Sequence, residues 1–134
     1  MAVDLPEKVS KAIEDPQFWH LATVNPDGSP QVTTIWVKPQ DGKILVNTAL
    51  GRKKPRNIEH DPRVALCWVD PENGYHMAEI QGRVVETYTG DQAEADIDDL
   101  AEKYIGQTPY PWRKPGEQRV SYLIEPTHVY TQDP

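Results

Sequence analysis

The sequence predicts a mainly β fold, a small β-barrel with few helices, in a chain of 134 residues. Three observations carry the expectation. Six segments rich in β-branched and aromatic residues are each bounded by Gly, Pro, Asn or Asp turn residues. Only one long segment, Asp91–Ile105, sustains helical spacing. The second β segment carries apolar residues on both faces, as a barrel wall does when its outer side meets a partner or ligand. Nothing in the chain reads as a repeat, a low-complexity tract or a linker, so residues 1–134 form one domain, large enough for its own core.

Residues 5–14 open the chain as a short helix. Asp4 is placed to cap it, Glu7 completes a capping-box spacing, and Val9, Ala12 and Ile13 share one face. Pro16 ends it. Phe18–Asn25 is the first strand, and Pro26-Asp27-Gly28-Ser29 has the residues of a tight turn. Pro30–Lys38 pairs back as the second strand, with Val32, Thr34 and Trp36 on one face and Gln31, Thr33, Ile35 and Val37 on the other. Asp41-Gly42 turns the chain into the third strand, Lys43–Ala49. A short helix around Pro55 and Ile58 stops at Asp61-Pro62. Arg63–Val69 is the fourth strand and Tyr75–Thr87 the fifth, with Gly82 marking a bulge. In the helix Asp91–Ile105, Ala93, Ile97, Leu100, Ala101, Tyr104 and Ile105 form the buried stripe, and the acidic residues of Asp91–Asp99 form a solvated face. Gly106 ends it. Gln107–Gly116 holds three prolines and is irregular, and Gln118–Tyr130 is the last strand, interrupted at Pro126.

Composition narrows the function. The formal charge is −7 and the isoelectric point about 5.0, which argues against nucleic acid, whose binding needs a broad basic face. Apolar residues make up 37% of the chain and the mean hydropathy is −0.69, so a core completed against a second copy fits. One cysteine excludes an internal disulfide framework and suits a reducing cytoplasm. The beginning of the chain lacks the basic and apolar regions of a signal peptide, and Val64–Val69 is far too short to span a membrane.

Against that acidic background, Arg52, Lys53, Lys54 and Arg56 crowd into five positions. The preceding strand, Gly51 and Pro55 suggest a strand feeding a glycine turn into a helix N-terminus, where free N–H groups and the helix dipole favour an anion. The Walker spacing is absent, so a nucleotide P-loop is excluded, and a solvated basic turn is the plain alternative. His20, His60, His76 and His128 lack metal-ligand spacing, and no metal site is expected. Cys67, between Leu66 and Trp68, reads as a buried inert thiol, and no serine sits in a hydrolase turn. With no acid–base or nucleophile constellation, an enzyme of this sequence would take its reactive atoms from a cofactor. Trp19, Trp36 and Trp68 suit either the core or a flat ring, and Trp112 suits the rim of a pocket or a subunit contact.

Leu21-Ala22-Thr23-Val24 with Asp27-Gly28-Ser29-Pro30-Gln31-Val32, Arg52-x-Lys54-x-x-Asn57, Asp61-Pro62-Arg63-Val64, Gly74-Tyr75 and Gln81-Gly82-Arg83-Val84 follow one another along the chain. Together with Trp112–Arg119 and Ile124-x-Pro126-x-His128-Val129-Tyr130, they resemble the split β-barrel flavin and deazaflavin oxidoreductases related to pyridoxamine 5′-phosphate oxidase. The nearer likeness is to the small branch using the deazaflavin coenzyme F420. The resemblance implies a six-stranded split β-barrel of the FMN-binding type and a homodimer with cofactors at the subunit interface. It implies Arg52 and Lys54 gripping the cofactor phosphate, Asn57 supporting the turn, and Lys53 among the cofactor-binding residues. Gln31, Thr33, Thr34, Asn47 and Thr48 would line the ring and ribityl portion, with Tyr75 and Trp112 closing the pocket from the other subunit. The Arg-x-Lys-x-x-Asn turn and the short length favour F420 over FMN, and Lys53, Arg56, Arg113 and Lys114 would attract its acidic tail. The activity implied is hydride transfer from reduced F420 to an electron-poor enone, lactone or quinone. An FMN-dependent reductase or oxidase, and a protein that holds cofactor or another ligand without turnover, are the alternatives.

Overall fold

The computed structural model describes residues 2–133, so Met1 and Pro134, the ends of the expected domain, lie outside the described residues. Seven strands and three helices follow in the order α1 (Glu7–Glu14), β1 (Trp19–Val24), β2 (Pro30–Ile35), β3 (Lys38–Gln40), β4 (Lys43–Ala49), α2 (Lys53–His60), β5 (Arg63–Asp70), β6 (Asn73–Tyr88), α3 (Gly90–Ile105) and β7 (Arg119–Gln132). The strands form one antiparallel sheet ordered β2-β1-β5-β6-β7-β4-β3. Its two edges, β2 and β3, are separated in sequence only by Trp36 and Val37. Three Cα steps reach at most about 11 Å, so the sheet must roll until its edges meet. That closure is the barrel, and Trp36–Val37 crosses its seam.

The expected six strands are therefore seven. The segment taken as Pro30–Lys38 leaves the first ladder after Ile35, and Lys38 begins a new pairing with Leu45. Alternation cannot reveal this, because Trp36 and Val37 continue the pattern across the break. Asp41 and Gly42 both have positive φ, 52° and 75°, the two-residue turn that matches strand twist. Two further expectations fail on backbone grounds. Asp4 does not cap α1, whose N-cap is Pro6 with no side-chain cap bond. Nor does Pro126 interrupt β7; it pairs with Gly82 at a register shift and the strand continues to Gln132. Gly82 is needed there, since a Cβ would lie 2.7 Å from Ile124 Cγ2 and 2.8 Å from the Glu125 carbonyl oxygen.

Period-two alternation fills the barrel. Trp19 and Leu21 of β1, Ile44 and Val46 of β4, Leu66 and Trp68 of β5, Ile80 of β6 and Tyr122 and Ile124 of β7 point inward. Val9, Ala12 and Ile13 of α1 join them as expected, and the buried Trp19 indole donates to the Ala12 carbonyl at 3.0 Å. The opposite face of β4 and β7 supplies Leu45 and Leu123, which α3 covers with Ile97 and Leu100. The C-terminal turn of α3 also fastens the seam. Lys103 Nζ donates to the carbonyls of Ile13 and Val37, and the Tyr104 hydroxyl accepts from Val37 N–H and donates to Gln17. Tyr104 and Ile105 are only half-buried, and Tyr104 lies at this seam rather than under the helix. Gly106, φ 67°, closes the helix in the left-handed conformation.

Candidate functional site

The basic turn forms as the local residues dictate. β4 ends at Ala49, Gly51 turns with φ 90°, and α2 starts at Lys53 with Arg52 as an N-cap that makes no side-chain cap bond. Helices of eight residues are marginal alone, and α2 is held by burial of Pro55, Asn57 and Ile58. Asn57 is 1% exposed, and its amide donates to Thr23 Oγ1 and Asn25 Oδ1, both at 3.0 Å. It anchors the turn to β1.

Strand pairing adds a residue that local reading does not supply. Ala49 pairs with Arg119, the first residue of β7, which brings a buried guanidinium beside the basic turn. Arg52, Lys54 and Arg119 thus border one cleft of about 170 Å³. Thr34, Asn47, Thr48 and Trp112 border it as well, over a floor of Ile35, Ile97 and Leu100 and beside Phe18, Trp36 and Tyr110.

The cations are crowded. Burial, then the charges of Arg52 and Arg119, push Lys54 below the ordinary lysine range. Lys54 Nζ donates to Thr33 Oγ1 at 3.1 Å. The carboxylate of Glu117 faces the cluster, accepting from Arg119 at 2.5 Å and lying 3.9 Å from Arg52. Burial pushes Glu117 up, but the Arg119 bond and charge outweigh it and hold the carboxyl below its usual range. Thr48 Oγ1 is fully buried and has no hydrogen-bond partner, a costly state for a hydroxyl. Three cations and an orphaned hydroxyl at one cleft fit an anionic group carrying several acceptor oxygens.

The other end is aromatic. Trp36 stacks on Tyr104 at 5.3 Å between centroids and 12° between planes, and Tyr110 and Trp112 approach it at 6.3 and 6.1 Å. Arg113 fixes the loop that carries them. Its guanidinium binds Glu94 and Asp98, and Asp98 also accepts the Tyr110 N–H at 2.8 Å. The acidic face of α3 is solvated only in part: Asp91 and Asp99 are exposed as expected, whereas the acidic residues between them are drawn into contacts. Asp96 is wholly buried against Lys38, while Glu94 and Asp98 hold the loop. Arg113 is committed to that clamp and is not a free cation for an acidic tail. The reason is non-local: spacing along α3 does not show which strands and loops return over it.

Among the expected residues, Thr34, Asn47, Thr48, Arg52, Lys54 and Trp112 meet in the cleft, and Thr33 touches it through Lys54. Gln31 does not border it; on β2 it accepts from Thr23 Oγ1. Lys53 is exposed on the first turn of α2, and Tyr75, 73% exposed, sits at the β5–β6 hairpin away from the cleft. Phe18, Trp36, Tyr110 and Arg119 are additions. Among the described residues no carboxylate, histidine or cysteine borders the cleft. Cys67 is half-buried on β5 rather than buried, and burial together with Glu79 pushes its thiol up, away from nucleophilic reactivity. A larger groove of about 350 Å³ beside Leu50 and Tyr122 carries Glu59 and Glu86 and no cation, so it is unsuited to an anion.

The profile of the family described as pyridoxamine 5′-phosphate oxidase matches residues 5–133. A pyridoxine/pyridoxamine 5′-phosphate oxidase of Rubrobacter xylanophilus is 35% identical over 83 residues, 60% of this chain and 38% of that protein. One from Salmonella paratyphi B is 37% identical over 70 residues, 52% of this chain and 30% of that protein. The matches thus span well under half the length of these relatives. Among solved structures, an F420 reductase superposes with a TM-score of 0.82 at 33% identity, covering 94% of this chain and 98% of its own. A heme storage protein of Vibrio cholerae shares the fold, with a TM-score of 0.64 at 14% identity over 97% of this chain and 96% of its own. Among the described residues no helix is long and apolar enough to cross a membrane.

Proposed function

The chain belongs to the pyridoxamine 5′-phosphate oxidase family, and from that premise we propose that it is a cytoplasmic F420-dependent oxidoreductase. The observation that carries the reading is the cluster of Arg52, Lys54 and Arg119 around the buried, unpartnered Thr48 hydroxyl, at one end of an aromatic-walled cleft. The 33% identity to an F420 reductase over nearly the whole chain supports the deazaflavin. When bound, the reduced deazaflavin supplies a hydride to an electron-poor enone, lactone or quinone.

The chain's own residues bind and orient. Arg52 and Lys54 hold the cofactor phosphate, each charge-assisted bond contributing about 1.5–3 kcal/mol, and Lys53 adds charge at the start of α2. Thr48 satisfies its hydroxyl on the same ligand. Gln31, Thr33, Thr34 and Asn47 flank the ring and ribityl portion, and Asn57 keeps α2 in place. Ile35, Ile97 and Leu100 give the ring a dry floor, and Trp112 covers it. The cleft of about 170 Å³ is small beside the ~300–1,000 Å³ usual for such ligands. This supports a homodimer in which a second copy completes the site, with Tyr75 arriving from it.

Fluorescence titration with F420 and, separately, FMN tests the reading, each repeated on Lys54→Ala. The expected result is micromolar or tighter F420 binding that Lys54→Ala weakens at least tenfold, poor FMN binding, and oxidation of reduced F420 by a panel of enones and quinones. Preference for FMN moves the chemistry to flavin on the same barrel. Tight F420 binding with no turnover of any acceptor leaves a cofactor-holding protein. Binding of neither cofactor removes the oxidoreductase reading.

A further inference from the structure

Behind the cleft lies a chain of polar groups that neither ligand binding nor packing alone accounts for. Asp96 of α3 is wholly buried and accepts three bonds, from Lys38 Nζ at 3.0 Å, Gln92 Nε2 at 3.0 Å and Ser121 Oγ at 2.7 Å. Ser121, also wholly buried, accepts from Asn47 Nδ2 at 2.8 Å. Asn47 Nδ2 gives its other hydrogen to the Ala93 carbonyl at 2.9 Å, and Asn47 Oδ1 accepts from Arg119 Nε at 2.9 Å. Asp96 and Ser121 do not border the cleft, whereas Asn47 and Arg119 do.

The order of donors along this chain is forced. A carboxylate facing an ammonium can only accept, so the Ser121 hydroxyl must spend its hydrogen on Asp96. Ser121 then offers Asn47 a lone pair. With Ser121 and the Ala93 carbonyl both accepting, the Asn47 amide must turn its NH₂ toward them and its oxygen toward Arg119. Arg119 is thereby gripped on one edge by Asn47 and on another by Glu117, with Tyr110 5.2 Å from its guanidinium carbon. Both donors of the Asn47 amide are used in this bracket.

We propose that Asp96 and Ser121 are positioning residues for the cleft: they fix the polarity of the Ser121–Asn47–Arg119 chain and so hold the Arg119 guanidinium at the anion end. The consequence for binding rests on the anion reading above; the positioning of Arg119 does not. Replacing Asp96 by Asn puts a second amide in the chain. Either its NH₂ meets Ser121 and strands the serine hydroxyl hydrogen, or it meets Lys38. Replacing Ser121 by Ala removes one of the two acceptors that orient Asn47. Threonine at position 121 keeps the hydroxyl and suits a strand.

The test uses the full chain as wild type, Asp96→Asn, Ser121→Ala and Ser121→Thr. In the ligand-free protein at pH 6, the ¹H–¹⁵N signal of Arg119 Nε–H, assigned by its loss in Arg119→Lys, reads the positioning directly. Wild type and Ser121→Thr should show a dispersed, slowly exchanging signal. In Ser121→Ala and Asp96→Asn it should move to the free-arginine position and exchange at least tenfold faster. Titration with F420 and FMN should show Kd raised at least fivefold in the same two variants and within twofold of wild type in Ser121→Thr. Should Asp96→Asn fail to fold, Ser121→Ala decides. An unmoved Arg119 signal in folded Ser121→Ala, or an unmoved Kd beside a wild type that binds, overturns the proposal. A wild type that binds neither cofactor ends the anion reading, and the arginine signal then decides the positioning alone.

Discussion

Asn57→Ala separates a residue that holds the site from one that touches the ligand. Asn57 is 1% exposed, and its amide makes two bonds of 3.0 Å across to β1. Thr23 Oγ1 keeps its bond to Gln31 when that amide is removed, so no hydroxyl is stranded on β1. The loss is then two hydrogen bonds at about 1 kcal/mol each, plus about 1 kcal/mol for the unfilled space. A total of about 2–3 kcal/mol, against an unfolding entropy on the order of 0.3 kcal/mol/K for a chain of this length, lowers Tm by roughly 7–10 °C. The cleft side chains remain, but α2 loses its tether, so cofactor affinity of the folded protein should fall only about two- to fivefold. Differential scanning calorimetry and a fluorescence titration at 15 °C measure the two effects. A Tm within 2 °C of wild type, or loss of binding without loss of stability, would refute the argument that Asn57 acts through α2.

Three further outcomes follow from the geometry. Because burial, Arg52 and Arg119 hold Lys54 below the ordinary lysine range, anion affinity should fall as pH rises through that lowered value, where the ammonium loses its charge. Kd measured from pH 7 to 10 should rise in wild type more steeply than in Lys54→Arg, and equal slopes would contradict the assignment. Gly82→Ala would drive a Cβ to 2.7 Å from Ile124 Cγ2 and 2.8 Å from a backbone oxygen. Overpacking of this kind costs about 1–3 kcal/mol, to be read from urea unfolding midpoints, and a neutral result would mean that β6 and β7 part there without strain. Arg113→Ala releases Glu94 and Asp98 together. It should leave Tm within about 3 °C while speeding proteolysis within residues 107–116 and weakening cofactor binding severalfold; unchanged cleavage would show that the aromatic contacts alone hold the loop.

Much of this molecule is written in local pattern. Lys43–Ala49 has the predicted bounds, and Asp41-Gly42 turns as its residues require. Gly82 marks a bulge and Gly106 ends α3, because an absent Cβ or a positive φ is a property of the residue itself. The basic turn also follows from sequence: a strand, a glycine and a proline within the first helical turn fix its course, and clustered charge shows through any fold. Asp4 fails as a cap on local backbone grounds, but at the seam and on α3 the deciding partner was distant. The break at Trp36–Val37 occurs because the sheet closes there, and the alternating pattern runs through it unchanged. Asp91–Asp99 has the composition of a wet helix face, and Asp91 and Asp99 are exposed as that composition suggests; only the return of Lys38, Arg113 and Ser121 over α3 buries Asp96 and makes Glu94 and Asp98 half-buried anchors.

The sequence by itself determined that this chain would be a small β-barrel with a cation cluster at a helix N-terminus. Those are consequences of periodicity, backbone preference and residue chemistry, all read within a few positions. Only the tertiary structure decided that Arg119 joins Arg52 and Lys54 at one cleft, with a buried, unpartnered hydroxyl in Thr48 and an aromatic wall in Trp36 and Tyr110. These residues stand far apart in the chain and meet because β7 pairs with β4 and the loop before it folds back over α3. Strand register and charge pairing across such distances depend on the whole sheet closing, so no single stretch of the sequence carries them.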